Sequence, residues 1–164
     1  MSPLSRSRQT SAGFTLFELL LVVLILGILS AIVVPELRSQ RRDAETATLG
    51  SSVTQVQMVL EVQKQKLGTG SYPPEILPEW FVDGILPLHP DKLAGVPPVE
   101  TVSAPGQKHP ADKLMHAGCA GAYWYNAANG CFRARVKEQP TGADTLSFYD
   151  DVNHSKLASL SDLE

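Results

Sequence analysis

Several signatures of catalysis are missing from this 164-residue chain: a Ser-His-Asp or Cys-His-Asp arrangement, a phosphate-binding glycine loop and a pair of catalytic carboxylates. Without them nothing recommends an enzyme, and no cofactor is expected. Metal-ligand spacing is absent too. His89, His109, His116 and His154 are scattered through loops and the C-terminal region, so they read as solvent-exposed or locally hydrogen-bonded side chains and no metal site is expected. Basic charge is in short supply, 14 Lys and Arg against 17 Asp and Glu, and a net charge of −3 argues against a general nucleic-acid-binding surface. Cysteine is limited to Cys119 and Cys131.

What the chain does have is one long apolar run. Residues 14–34 contain no proline and a single charge, Glu18. At about 1.5 Å per residue a helix of that length spans roughly 30 Å, the hydrocarbon thickness of a bilayer. A carboxylate one turn from the start of such a span should have a partner, or at least gain from the helix dipole. A secretory signal peptide is the competing account of a basic leader followed by an apolar core. It fails at the cleavage site, where Leu29-Ser30-Ala31 puts a bulky side chain at the outer position and the apolar run continues through Val34. Arg6 and Arg8 precede the run while Arg38, Arg41 and Arg42 follow it, so charge alone does not set an orientation. With a span of this size, the remaining chain has room for one modest soluble domain of about 100 to 130 residues.

The junction Gly13-Phe14-Thr15-Leu16-Phe17-Glu18 resembles the processing site of prepilins, the precursors of the type IV pilin superfamily. The resemblance implies that residues 1–13 are a leader cut after Gly13 by a prepilin peptidase, which also N-methylates the new amine of Phe14. It further implies an inner-membrane helix over 14–35 with the C-terminal domain, 36–164, in the periplasm. Phe14 and Glu18 would serve subunit assembly, the Phe14 amine pairing with Glu18 of the same or a neighbouring copy. Partners would be other pilin or pseudopilin subunits and the inner-membrane assembly platform. Loss of the leader removes two arginines and leaves a balance of −5.

Beyond residue 36 the helical signal persists. Leu49, Val53, Val56, Leu60 and Leu67 fall on one face, broadened by Val59 and Val62, and Gly68-Thr69-Gly70 supplies a stop after Lys64 and Lys66. One helix from about 14 to 67 follows, roughly 80 Å long at 1.5 Å per residue, too long for a domain of this size to cover. Pro35 should kink it, or mark a helix boundary. Residues 72–110 hold nine of the twelve prolines and read as an extended loop with one helical turn near 79–82, anchored by Trp80, Phe81, Ile85 and Leu86. Residues 122–125 and 131–137 read as a β-hairpin, with Phe132, Ala134 and Val136 on one face. Cys131, Arg133, Arg135 and Lys137 fall on the other, a basic stripe that reads as a solvated or subunit-contact face rather than a DNA contact. Residues 145–149 read as a third strand.

Two further features stay open at this level. Cys119 and Cys131 are a candidate disulfide in an exported domain, although hairpin register places Cys119 nearer Lys137 and a bend before Ala122 would be needed. Asp150, Asp151 and Asn153 lie near the chain's end, where the resemblance implies calcium in major secretion pseudopilins. No Gly-rich calcium loop accompanies them, and a solvated acidic turn is expected. The whole reads as an α+β, pilin-like subunit: a long N-terminal helix on a small antiparallel sheet, built into a filament, foremost as a type II secretion pseudopilin. The alternatives are a competence pilin for DNA uptake, or a signal-anchored periplasmic module that binds a ligand or DNA.

Overall fold

The structure, a computed structural model, describes residues 14–164; the expected leader, Gly13 included, lies outside them. Helix α1 (Leu16–Leu67) is helical throughout, so it neither ends nor restarts at position 35. Contacts divide the chain inside α1, between Arg41 and Arg42, and Arg42–Glu164 is a compact unit in its own right.

Within that unit the predicted stripe forms the inner face of α1. Leu49, Val53, Val56 and Leu60 are all but fully buried, each stabilising the fold by about 1.5 to 3 kcal/mol. Val59 packs against their cluster, whereas Val62 and Leu67, predicted to broaden and extend the stripe, are half exposed. The helix stops where the Gly68 signal stands, with Gly68 at a φ of 64°.

A mixed three-stranded sheet lies in the same core, in the order β1 (Val99–Val102), β2 (Tyr123–Asn126), β3 (Cys131–Ala134). The hairpin is as predicted: β2 and β3 are antiparallel, with Tyr123 opposite Ala134 and Asn126 opposite Cys131. Gly130 closes it at a φ of 77°, directly beneath the Tyr72 ring, where any Cβ would collide. Tyr123, Tyr125, Phe132 and Ala134 are buried in the cluster that holds the α1 stripe.

The sheet's third member corrects the expectation of an all-antiparallel sheet. Strand β1 runs parallel to β2, Val99 opposite Tyr123, and comes from the stretch predicted to be loop. Pro97 and Pro98 conceal it in the sequence, because they lack donors. Their carbonyls nevertheless accept from Ala122 N and Tyr123 N at 2.9 Å, extending the ladder on its acceptor side. The rest of the proline-rich segment contains two short 3-10 turns, Pro78–Trp80 and Val82–Gly84, close to the predicted one. Phe81, Trp80 and Leu86 anchor it, while Ile85 is exposed. The Tyr125 hydroxyl donates to Pro73 O at 2.6 Å and fixes its start.

The predicted third strand over 145–149 is instead part of helix α2 (Gly142–Asn153). Its buried residues Thr145, Phe148, Tyr149, Val152 and Asn153 recur at helical spacing. Thr141 caps the helix, its Oγ1 accepting from Asp144 N at 3.0 Å and donating to Asp144 Oδ2 at 2.7 Å. Asn153 joins α2 to β3, accepting from Ala134 N at 2.7 Å and donating to Ala134 O at 3.0 Å. The fold class is α+β, a long N-terminal helix on a small sheet, as expected for a pilin-like chain.

Candidate functional site

The site lies where α1 begins. Thr15 Oγ1 accepts from Glu18 N at 3.3 Å, and one Glu18 carboxylate oxygen accepts from Thr15 N and from Thr15 Oγ1, each at 2.9 Å. This is a capping box, which satisfies donors at the helix start that would otherwise face their surroundings unpaired. The signal was present in the sequence as Thr-x-x-Glu before an apolar run. Sequence reasoning sought a charged partner for Glu18 and missed the neutral one three residues away. Phe14, just outside the box, is 81% exposed.

From Leu16 to Val34 every large apolar side chain of α1 is exposed, from 44% at Val34 to 84% at Leu16. Such side chains surround the helix rather than forming one stripe, so no single contact face could bury them all. Among the described residues α1 is the one helix long and apolar enough to cross a membrane. A surface of this extent is stable in lipid or against other apolar helices, and not in water.

The other predicted surfaces change character in the compact unit. Arg135 is 3% exposed, paired with Glu100 and bonded through its guanidinium to the carbonyls of Asp112 and Gly121. Arg133 is half-buried and only Lys137 is exposed, so the basic stripe is not a solvated face. His89 and His109 are buried rather than exposed, His89 Nε2 lying 2.8 Å from Arg135 O and His109 Nδ1 lying 3.0 Å from the Tyr149 hydroxyl. Burial, then the charges of Arg133 and Lys113, lowers the pKa of His109 to about 4. Burial raises that of Tyr149.

Cys119 and Cys131 are free thiols, which corrects the candidate disulfide. Strand register separates them. Cys131 sits opposite Asn126 at the hairpin turn, whereas Cys119 Sγ lies 3.8 Å from Met115 Sδ and 3.7 Å from Gly121 O, beyond the other end of the pairing. Three residues of strand alone cover about 10 Å, more than a disulfide can bridge.

Nor do the acidic residues near the end form a cation site. Asp150 accepts from Ser155 Oγ at 2.7 Å and from Leu157 N at 3.1 Å, Asp151 lies 3.9 Å from Arg42, and Asn153 is committed to Ala134 and Tyr149. Asp150 and Asn153 are spent on separate protein partners, and Asp151 keeps an exposed carboxylate with only a long ion pair to Arg42. They do not converge, and so do not fit the calcium ion that the resemblance implies.

Comparison with known proteins finds a match that covers this N-terminal region. Residues 8–34 match the prokaryotic N-terminal methylation motif. The type II secretion system core protein G of Pseudomonas aeruginosa is 32% identical over 130 residues, 70% of this chain and 87% of the relative. Its namesake from Klebsiella michiganensis is 35% identical over 66 residues, and the match spans 40% of this chain but only 45% of that relative's length. A third, from Aeromonas hydrophila, is 33% identical over 66 residues, again 40% of this chain and 45% of the relative. No solved structure matches.

Proposed function

The chain belongs to the family of the type II secretion system core protein G, pseudopilins of the type IV pilin superfamily, and from that premise we propose how its N-terminal site works. A prepilin peptidase removes residues 1–13 after Gly13 and methylates the amine of Phe14. Before assembly the apolar half of α1 anchors the subunit in the inner membrane, with residues 36–164 in the periplasm. The assembly platform then draws it out, and the same apolar surface passes from lipid to the α1 helices of other subunits. Pro35 bends α1 to fit that packing.

The capping box gives Glu18 a particular part in this exchange. In the precursor, the backbone and hydroxyl of Thr15 satisfy the carboxylate with neutral donors, so the charge can reside near the membrane without a cation beside it. Cleavage converts the Phe14 amide into an ammonium group. That group offers Glu18 of an adjacent copy a bond between two full opposite charges, stronger than either bond from the uncharged Thr15 donors, and sets the axial register between subunits.

The observation that carries this reading is a methylation motif over residues 8–34 that takes in the exposed, apolar stretch of α1 up to Val34, whose one charge is Glu18. It supports a structural filament subunit over an uncut signal anchor. Mass spectrometry of the membrane-extracted protein tests it: N-methylated Phe14 is the expected N-terminus, and Gly13→Val should leave nearly all of the chain as full-length precursor. Recovery of Met1 or Ser2 as the mature terminus, or normal processing of Gly13→Val, would reject the reading.

A further inference from the structure

Away from the assembly helix, a lysine is buried in the compact unit. Lys113 is 2% exposed. Its ammonium donates to three backbone carbonyls, Pro110 O at 3.0 Å, Leu160 O at 2.9 Å and Asp162 O at 2.6 Å. An ammonium group has three donors and no acceptor, so this set uses all of them.

Two of those carbonyls belong to the C-terminal strap, residues 155–163, and the strap is shaped to present them. Asp162 turns its carboxylate back onto its own loop, accepting from Ala158 N at 2.8 Å, Ser159 N at 2.9 Å and Ser159 Oγ at 3.0 Å. Its carbonyl is thereby left for the lysine. At one end the strap is held by Asp150, which accepts from Leu157 N. At the other, Leu163 O accepts from Lys108 N at 2.7 Å and His109 N at 3.1 Å. Between these clamps, among the described residues, Lys113 is the one side chain that gathers the strap's carbonyls. Beneath it lies the Tyr149 ring, whose centre is 5.7 Å from Nζ.

Converging neutral oxygens from two stretches of backbone are what a protein uses to hold a hard cation. Here the cation is covalently attached. Of the side chains near this end that could have ligated calcium, Asp150 and Asn153 are committed elsewhere, and the carbonyl cradle beside them is already filled. We propose that the Lys113 ammonium is a resident cation that locks the C-terminal strap of this pseudopilin, so that closure of the strap requires no divalent metal.

Two measurements on the full-length chain in detergent micelles test this. In the first, amines are acetylated with N-hydroxysuccinimidyl acetate, with EDTA or with calcium chloride, and the rate at each lysine is read by peptide mass spectrometry. Lys113 should react about tenfold or more slowly than the exposed Lys108, equally in both conditions. Reaction of Lys113 at the Lys108 rate, or protection that appears only with calcium, would overturn the proposal. In the second, hydrogen exchange over residues 157–164 is compared between wild type and Lys113→Met, which keeps the length and apolar stem but not the charge. Exchange in the variant should be faster by about tenfold. Unchanged strap protection in Lys113→Met would also overturn it. The acetylation arm uses only the wild-type chain, so failure of the variant to fold leaves it decisive.

Discussion

Glu18 shows how one residue can serve two environments. Thr15 satisfies it within its own helix, so its replacement by Val should not reduce membrane content, whereas the bond to a neighbouring Phe14 amine would vanish. Glu18→Val is therefore expected to keep wild-type levels in the membrane fraction while lowering sheared filament yield roughly tenfold or more. Wild-type yield from that variant would remove Glu18 from assembly, and loss of membrane protein would indicate an insertion defect instead. His109 makes a second residue-level prediction, now of pH. Its folded pKa of about 4 lies below the unfolded value near 6.5, because burial and the charges of Arg133, Lys113 and Lys108 disfavour its protonation more than Asp150 favours it. Below pH 6.5 the unfolded chain takes up the proton first. The stability His109 contributes is thus complete above pH 6.5 and falls away as pH drops towards 4. The shift corresponds to about 3 kcal/mol, which solvent screening reduces to about 1 to 2 kcal/mol. Denaturant melts of His109→Gln, which retains a partner for Tyr149, should show a shallower decline over that range than wild type. His89, also lowered by burial, acts in the same direction and persists in the variant, while the raised pKa of His116 opposes it.

At the scale of elements, α1 was legible and α2 was not, for related reasons. The α1 pattern persists over many turns, and its buried members Leu49, Val53, Val56 and Leu60 are all aliphatic. In α2 the pattern lasts only three turns, and two of its five buried positions are the polar Thr145 and Asn153, so Thr145–Leu146–Ser147–Phe148 passed for strand alternation. The cap was the better signal. Thr141 followed three residues later by Asp144 marks a helix start, as Thr15 and Glu18 do in α1. Thr141→Ala should accordingly destabilise the compact unit by about 1 kcal/mol, lowering its melting temperature by several degrees. An unchanged melting temperature would mean that α2 is held by packing alone. Strand β1 was hidden for a different reason: its four residues follow two prolines and pair in parallel with a strand 20 residues further on.

For the whole molecule, the free thiols provide the test of topology. Without reduction, alkylation of the exported protein should label both cysteines, half-exposed Cys131 quickly and buried Cys119 only slowly. Labelling of neither until reductant is added would restore the disulfide and contradict the strand register. The parts of this protein determined by sequence alone are those with local or one-dimensional causes: the Gly13-Phe14 junction, the single charge in an apolar run, the helix that continues from it, and a hairpin closed by Asn129-Gly130. Each depends on residues within a few turns of one another, so pattern suffices. Only the tertiary structure decided that β1 joins the sheet, that Arg135 turns inward to Glu100, that the cysteines stand apart, and that Lys113 faces the carbonyls of Leu160 and Asp162. These contacts unite segments 20 to 50 residues apart. Apart from the Glu100 carboxylate, their partners are backbone groups, which every residue carries alike, and no side-chain pattern can announce which carbonyl a buried lysine will find.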